Sequence, residues 1–151
     1  MEHKMDELLT QLVKMDDVSR SCLKDARELL AMTGTTISTT ENAMFNLYAS
    51  SNESTADRLH GILQNLKNIE GFAKQTIEYI GNGIAIVENA ADTLIWAKIV
   101  LDDAEMKMLT GDYLKGIRMA EMMRSQIAIN IDLLAKTKVA VERIEIMGGI
   151  F

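Results

Sequence analysis

The chain has 151 residues, 48% of them hydrophobic, and 16 basic against 22 acidic side chains give a net charge of −6. Those values suit a globular protein that buries a core unaided; they exclude wholesale disorder, a collagen-like repeat and a cystine scaffold, and one cysteine points to a reducing, cytoplasmic setting. Proline is absent, aromatics are 5% and methionine reaches 11, a balance that favours long helices over sheets, whose strands draw on aromatic and β-branched residues.

Taken in chain order, the first apolar pattern runs through Leu8, Leu12, Met15, Val18, Cys22, Ala26 and Leu29 and predicts a helix over roughly 3–49. Thr33 to Thr40 is poor in helix formers and predicts a kink. Ser38 to Glu41 and Ser50 to Glu53 both match the S-x-x-E capping box, so each marks a helix start, and Ser50-Ser51-Asn52 predicts a turn. The second helix is expected over roughly 53–109. Its seam repeats every seven residues through Leu59, Leu66, Ala73, Ile80, Val87, Leu94, Leu101 and Met108, the period of helices packed at a shallow angle. Thr110-Gly111-Asp112 predicts the next turn, with Asp112 as N-cap of a third helix over roughly 112–147.

Gly81-Asn82-Gly83 carries a turn signal inside the second helix, yet the repeat passes it in phase. Continuity gives an all-α fold of long antiparallel helices, an elongated three-helix hairpin or coiled-coil bundle in a single domain, 1–151. A break there gives the alternative, a compact four-helix bundle. Two glycines inside so long a helix cost only about 2 kcal/mol, which favours continuity.

Charge narrows the partners. No face or terminal arm concentrates Lys and Arg, so nucleic acid is not expected as a partner. The greasiest region, Ile77 to Leu101, is interrupted by Glu78, Glu88, Asp92 and Lys98, and the start of the chain has no apolar core; neither a signal peptide nor stable membrane insertion is expected.

Chemistry-bearing residues are few: two histidines, one cysteine and no glycine-rich phosphate loop, so no catalytic, metal or cofactor site is expected. Asp57 and His60 lie one turn apart, but a di-iron bundle needs such a pair twice over. The run Arg58-Leu59-His60-Gly61-Ile62-Leu63-Gln64-Asn65-Leu66-Lys67-Asn68-Ile69-Glu70-Gly71 resembles the helix of two-component sensor kinases and their phosphotransferases that carries the phosphorylated histidine. The resemblance implies His60 as phospho-acceptor, with Lys67 as its charge partner. Gly61 stands where those families commonly have a second polar residue, and no ATP-binding domain follows in this sequence. The proline-free heptads also resemble chemoreceptor hairpins, although the adjacent Glu/Gln pairs used there for adaptation are missing.

The remaining expectation is protein–protein interaction: self-association into a homo-oligomer, or docking to a partner helix, through the Ile77–Met108 seam and an apolar C-terminal tip. Trp96 next to the seam, Met119 and Met122 on a methionine-rich third helix, and Ile150 and Phe151 beyond Gly148-Gly149 are the candidate contacts. Cys22, on the first seam, is read as a core residue. A third reading, a secreted helical protein remodelling on membranes, rests on the apolar stretch from Ile84 to Leu101.

Overall fold

The computed structural model describes the backbone of residues 2–96 and 101–150, and the side chains of 5–92 and 101–147. The described chain is all-α: α1 (Glu2–Ala49), α2 (Glu53–Trp96) and α3 (Asp103–Ile150). Gly81, Asn82 and Gly83 lie inside α2, so the helix continues as the in-phase repeat indicates and the four-helix alternative is excluded.

The fully buried positions of α1 explain its length. Leu8, Leu12, Ser19, Cys22, Ala26, Leu29, Thr33, Thr36, Thr40, Ala43 and Leu47 are all buried. With Met15 completing the series, they follow alternating steps of four and three residues, the coiled-coil spacing. The threonine stretch is therefore seam, and the predicted helix start at Ser38 does not occur. Its hydroxyls bond back to carbonyls one turn earlier, Thr33 to Leu29 at 2.6 Å, Thr36 to Met32 at 2.8 Å and Thr40 to Thr36 at 2.8 Å. A hydroxyl satisfied in this way leaves the threonine methyl free to pack.

α1 ends at a Schellman reversal, in which the Asn52 amide donates to the Leu47 carbonyl at 2.8 Å and the Ser51 amide to Tyr48 at 3.0 Å. Ser51 takes a left-handed conformation with φ of 61°. The N-cap of α2 is Asn52 rather than Ser50: its side-chain oxygen accepts from the Thr55 amide at 3.4 Å, and its carbonyl from Ala56 at 3.1 Å. Ser50 instead donates to the Leu47 carbonyl.

The second connection departs further from expectation. Helix α2 reaches Trp96 rather than residue 109, and α3 begins at Asp103 rather than 112. Thr110, Gly111 and Asp112 all lie within α3, where the Thr110 hydroxyl bonds back to Met106 and Asp112 is exposed and caps nothing. The cap is Asp102, whose carboxylate accepts from the Glu105 amide at 2.8 Å. A carboxylate at that position satisfies an orphan donor and complements the helix dipole, whereas a glycine inside a helix costs only about 1 kcal/mol. The seven-residue repeat is cut accordingly. It is buried from Leu59 to Val87, while Leu101 precedes α3 and Met108, on α3, is 62% exposed; the side chain of Leu94 lies outside the described residues.

The chain forms two compact units, one of residues 1–25 and 76–126, the other of 26–75 and 127–151. In the first, Leu8 of α1 packs with Leu101 and Met106, flanked by Met5, Leu109 and Tyr113. Farther along α1 in this unit, Arg20 pairs with Glu88 of α2 and Asp25 with Arg124 of α3 at 2.8 Å. Along this stretch α2 runs antiparallel to α1, and α3 runs parallel to it. In the second unit Ala43, Met44 and Leu47 meet Ala56, Leu59 and Leu63 of α2 and Val141 of α3. There the Asn46 amide donates to Glu145 of α3 at 2.8 Å. In α3 the buried residues Met106, Ile117, Ala120, Ile127, Leu134 and Val141 give about one position per heptad, against two in α1.

Asp102→Ala should lower stability by about 1 kcal/mol in urea unfolding, and Asp112→Ala should leave it unchanged; the opposite ranking would move the turn back to residues 110–112. Ser51→Gly should stabilise the protein by roughly 0.5–1 kcal/mol, because glycine adopts positive φ without Cβ strain. A loss of stability in that variant would contradict the reversal described.

Candidate interaction surface

Of the seam expected to meet a partner, Ile80, Ile84 and Val87 are buried within the protein's own core, and Met108 is exposed. What α3 leaves uncovered is larger. Among the described residues, α3 exposes nine large hydrophobic side chains, α1 three and α2 two. The difference follows from its sequence, which spreads apolar residues around the helix instead of gathering them on one side.

In the first unit Met119 and Met122 are exposed, the latter at 70%. At 100° per residue, Met122 projects on the side away from the line of Ala120 and Ile127. In the second unit Ile129 at 54% and Leu133 at 48% occupy the equivalent outward positions, four residues apart on one helical face. Lys115 shares this outward register in the first unit, and Lys136 and Arg143 share it in the second, all three exposed. In the first unit this face is thus apolar beside Lys115, and in the second it is apolar with Arg143 and a Lys136 that pairs with Asp132 at 3.0 Å. Trp96, Ile150 and Phe151, the other candidate contacts, have side chains outside the described residues. Sequence reading finds Met119 and Met122 but not Ile129 and Leu133, which fall outside the helical apolar pattern; their offsets of two and six residues from Ile127 are the available signal.

The chemistry-bearing side chains are scattered. His60 is exposed on α2, one turn from Asp57, whose carboxylate accepts a hydrogen bond from the Tyr48 hydroxyl at 2.8 Å. That bond holds the Tyr48 phenol above its ordinary value. Burial raises the half-buried Tyr113 in the same direction, with Asp112 adding to it. Among the described residues no three His, Cys, Asp or Glu side chains gather closely enough to hold a metal, and no helix is long and apolar enough to cross a membrane. Comparison with models of known families, with curated proteins and with solved structures returns no match.

Cys22 is fully buried in the α1 seam, and burial, reinforced by Asp25, pushes its thiol up to about 11. Only about one thiol in a thousand is then ionised at pH 8. Native protein should resist Ellman's reagent for as long as the core stays closed and react fully once denatured. Rapid labelling of the native state would contradict the packing. Because the folded value exceeds the ordinary thiol value of 9.0, this contribution to stability is complete below pH 9 and is lost as pH rises towards 11.

Proposed function

We propose that the protein is a non-enzymatic interaction module that associates helix to helix, with the outward methionine face of α3 in the first unit as its docking surface and a second copy of the chain as the first partner to test. The observation carrying the reading is Met122, 70% exposed opposite the buried side of α3, with Met119 partly exposed on its flank. Contiguous apolar side chains facing water mark interaction sites, because covering them removes their area from solvent at about 25 cal/mol per Å². Methionine suits such a surface, since its unbranched, polarizable chain adapts to whatever packs on it. Lys115 beside the two methionines favours an acidic counterpart, and a chain with net charge −6 offers acidic faces of its own.

Sedimentation equilibrium tests the proposal. The wild type should show a mass above the 16.8 kDa of one chain, rising with concentration, and Met122→Glu combined with Lys115→Glu should return it to the monomer with its helical content intact. Both positions are exposed, so the substitutions cost folding little. A wild type that stays monomeric at high micromolar concentration would overturn self-association, and an unchanged oligomer in the double variant would remove α3's outward face from it.

A further inference from the structure

In the first unit a cavity of about 410 Å³, partly open to solvent, lies between Met15 and Ser19 of α1, Tyr79 to Ile86 of α2, and Gly116 to Met123 of α3. Its existence is written in small residues. The α1 seam places Leu12 one step before the cavity and Leu29 beyond it, but Ser19 beside it. A Cβ built on Gly83 meets nothing within 4 Å, so that side of α2 faces open space. At Gly116 the missing side chain lets Met15 lie against the backbone of α3, since an added Cβ would meet the methionine methyl at 2.5 Å.

The Ser19 hydroxyl supplies a second, independent observation. Thr33, Thr36 and Thr40 on the same seam each close a hydrogen bond to a carbonyl one turn back. Ser19 is only 7% exposed, lines the cavity, and its hydroxyl has no hydrogen-bond partner among the described residues. Because the cavity is partly open, this hydroxyl is free to bond a polar group that enters it.

We propose that this cavity is a binding site for a neutral aromatic small molecule bearing one hydrogen-bonding group. The volume falls in the range of drug-sized ligand sites, which in helical bundles lie between helices and combine apolar walls with a few placed polar groups. Neutrality follows from the lining, which contains no Lys, Arg, His, Asp or Glu, so a charged ligand would be desolvated without a counter-ion. Aromatic character follows from the thioethers of Met15, Met119 and Met123 and the Tyr79 ring at the mouth, because sulfur and ring edges attract a flat π-system. Ser19 holds the polar group, with Asn82 and the Tyr79 hydroxyl the other hydrogen-bonding groups of the lining.

Fluorescence titration with N-phenyl-1-naphthylamine, a neutral aromatic amine, provides the test. Wild-type protein should enhance its emission saturably with one site per chain. Gly83→Leu, which fills the open side of the cavity and improves helix propensity, should weaken binding roughly tenfold or more without lowering the melting temperature. Gly83→Ala should give an intermediate loss, which keeps the comparison informative if the leucine variant folds poorly. Met122→Gln, outside the cavity, should bind as the wild type does, which separates this site from the outward face of α3. Absence of saturable binding, equal affinity across the Gly83 series, or loss of binding in Met122→Gln would each overturn the proposal.

Discussion

The constraint on which the structure depends is the single stripe of α1, where every fully buried side chain falls on alternating steps of three and four residues from Leu8 to Leu47. One stripe of that kind packs on neighbours lying nearly along the helix, which is why α2 and α3 align with it within each unit. The stripe survives its polar members because threonine can satisfy its hydroxyl on its own helix. Without the bonds from Thr33, Thr36 and Thr40 to the preceding turn, three buried hydroxyls would interrupt the seam at a cost of about 1–3 kcal/mol each.

How much of this was legible in the sequence depends on how each signal competes. The helical class followed from missing prolines and scarce aromatics, and the continuity of α2 through Gly81 and Gly83 followed from an unbroken phase. The threonine segment was misjudged because intrinsic propensity counts threonine as a poor helix former and polar, while at heptad spacing its methyl packs as an apolar group. The second connection was misplaced for a related reason. Thr110-Gly111-Asp112 has turn composition, but Asp102-Asp103-Ala104-Glu105 has capping chemistry, and a satisfied amide outweighs a glycine's modest preference for leaving the helix.

Starting α3 nine residues earlier, at Asp103 rather than 112, changes the functional reading while leaving three long helices. With α3 starting at Asp103, Met106 turns inward and Met108 outward, and the repeat from Leu59 to Val87 is buried in the core. The unsatisfied apolar surface then lies on α3, where about one buried residue per heptad leaves the opposite side free to carry Met122, Ile129 and Leu133. Exposed pairs such as Arg20 with Asp16, and Lys136 with Asp132, each join residues one turn apart on a single helix and add little stability in water.

The most direct test of this arrangement is methyl NMR of methionine-labelled protein in the presence of a soluble paramagnetic agent. Met44 and Met106, at 7% and 4% exposure, should keep sharp signals, while Met108, Met122 and Met147, at 59% or more, should broaden strongly. Protection of Met122 with broadening of Met106 would contradict both the start of α3 at Asp103 and the outward face built on it; such protection at Met122 only above a threshold concentration would instead report its burial against a second copy.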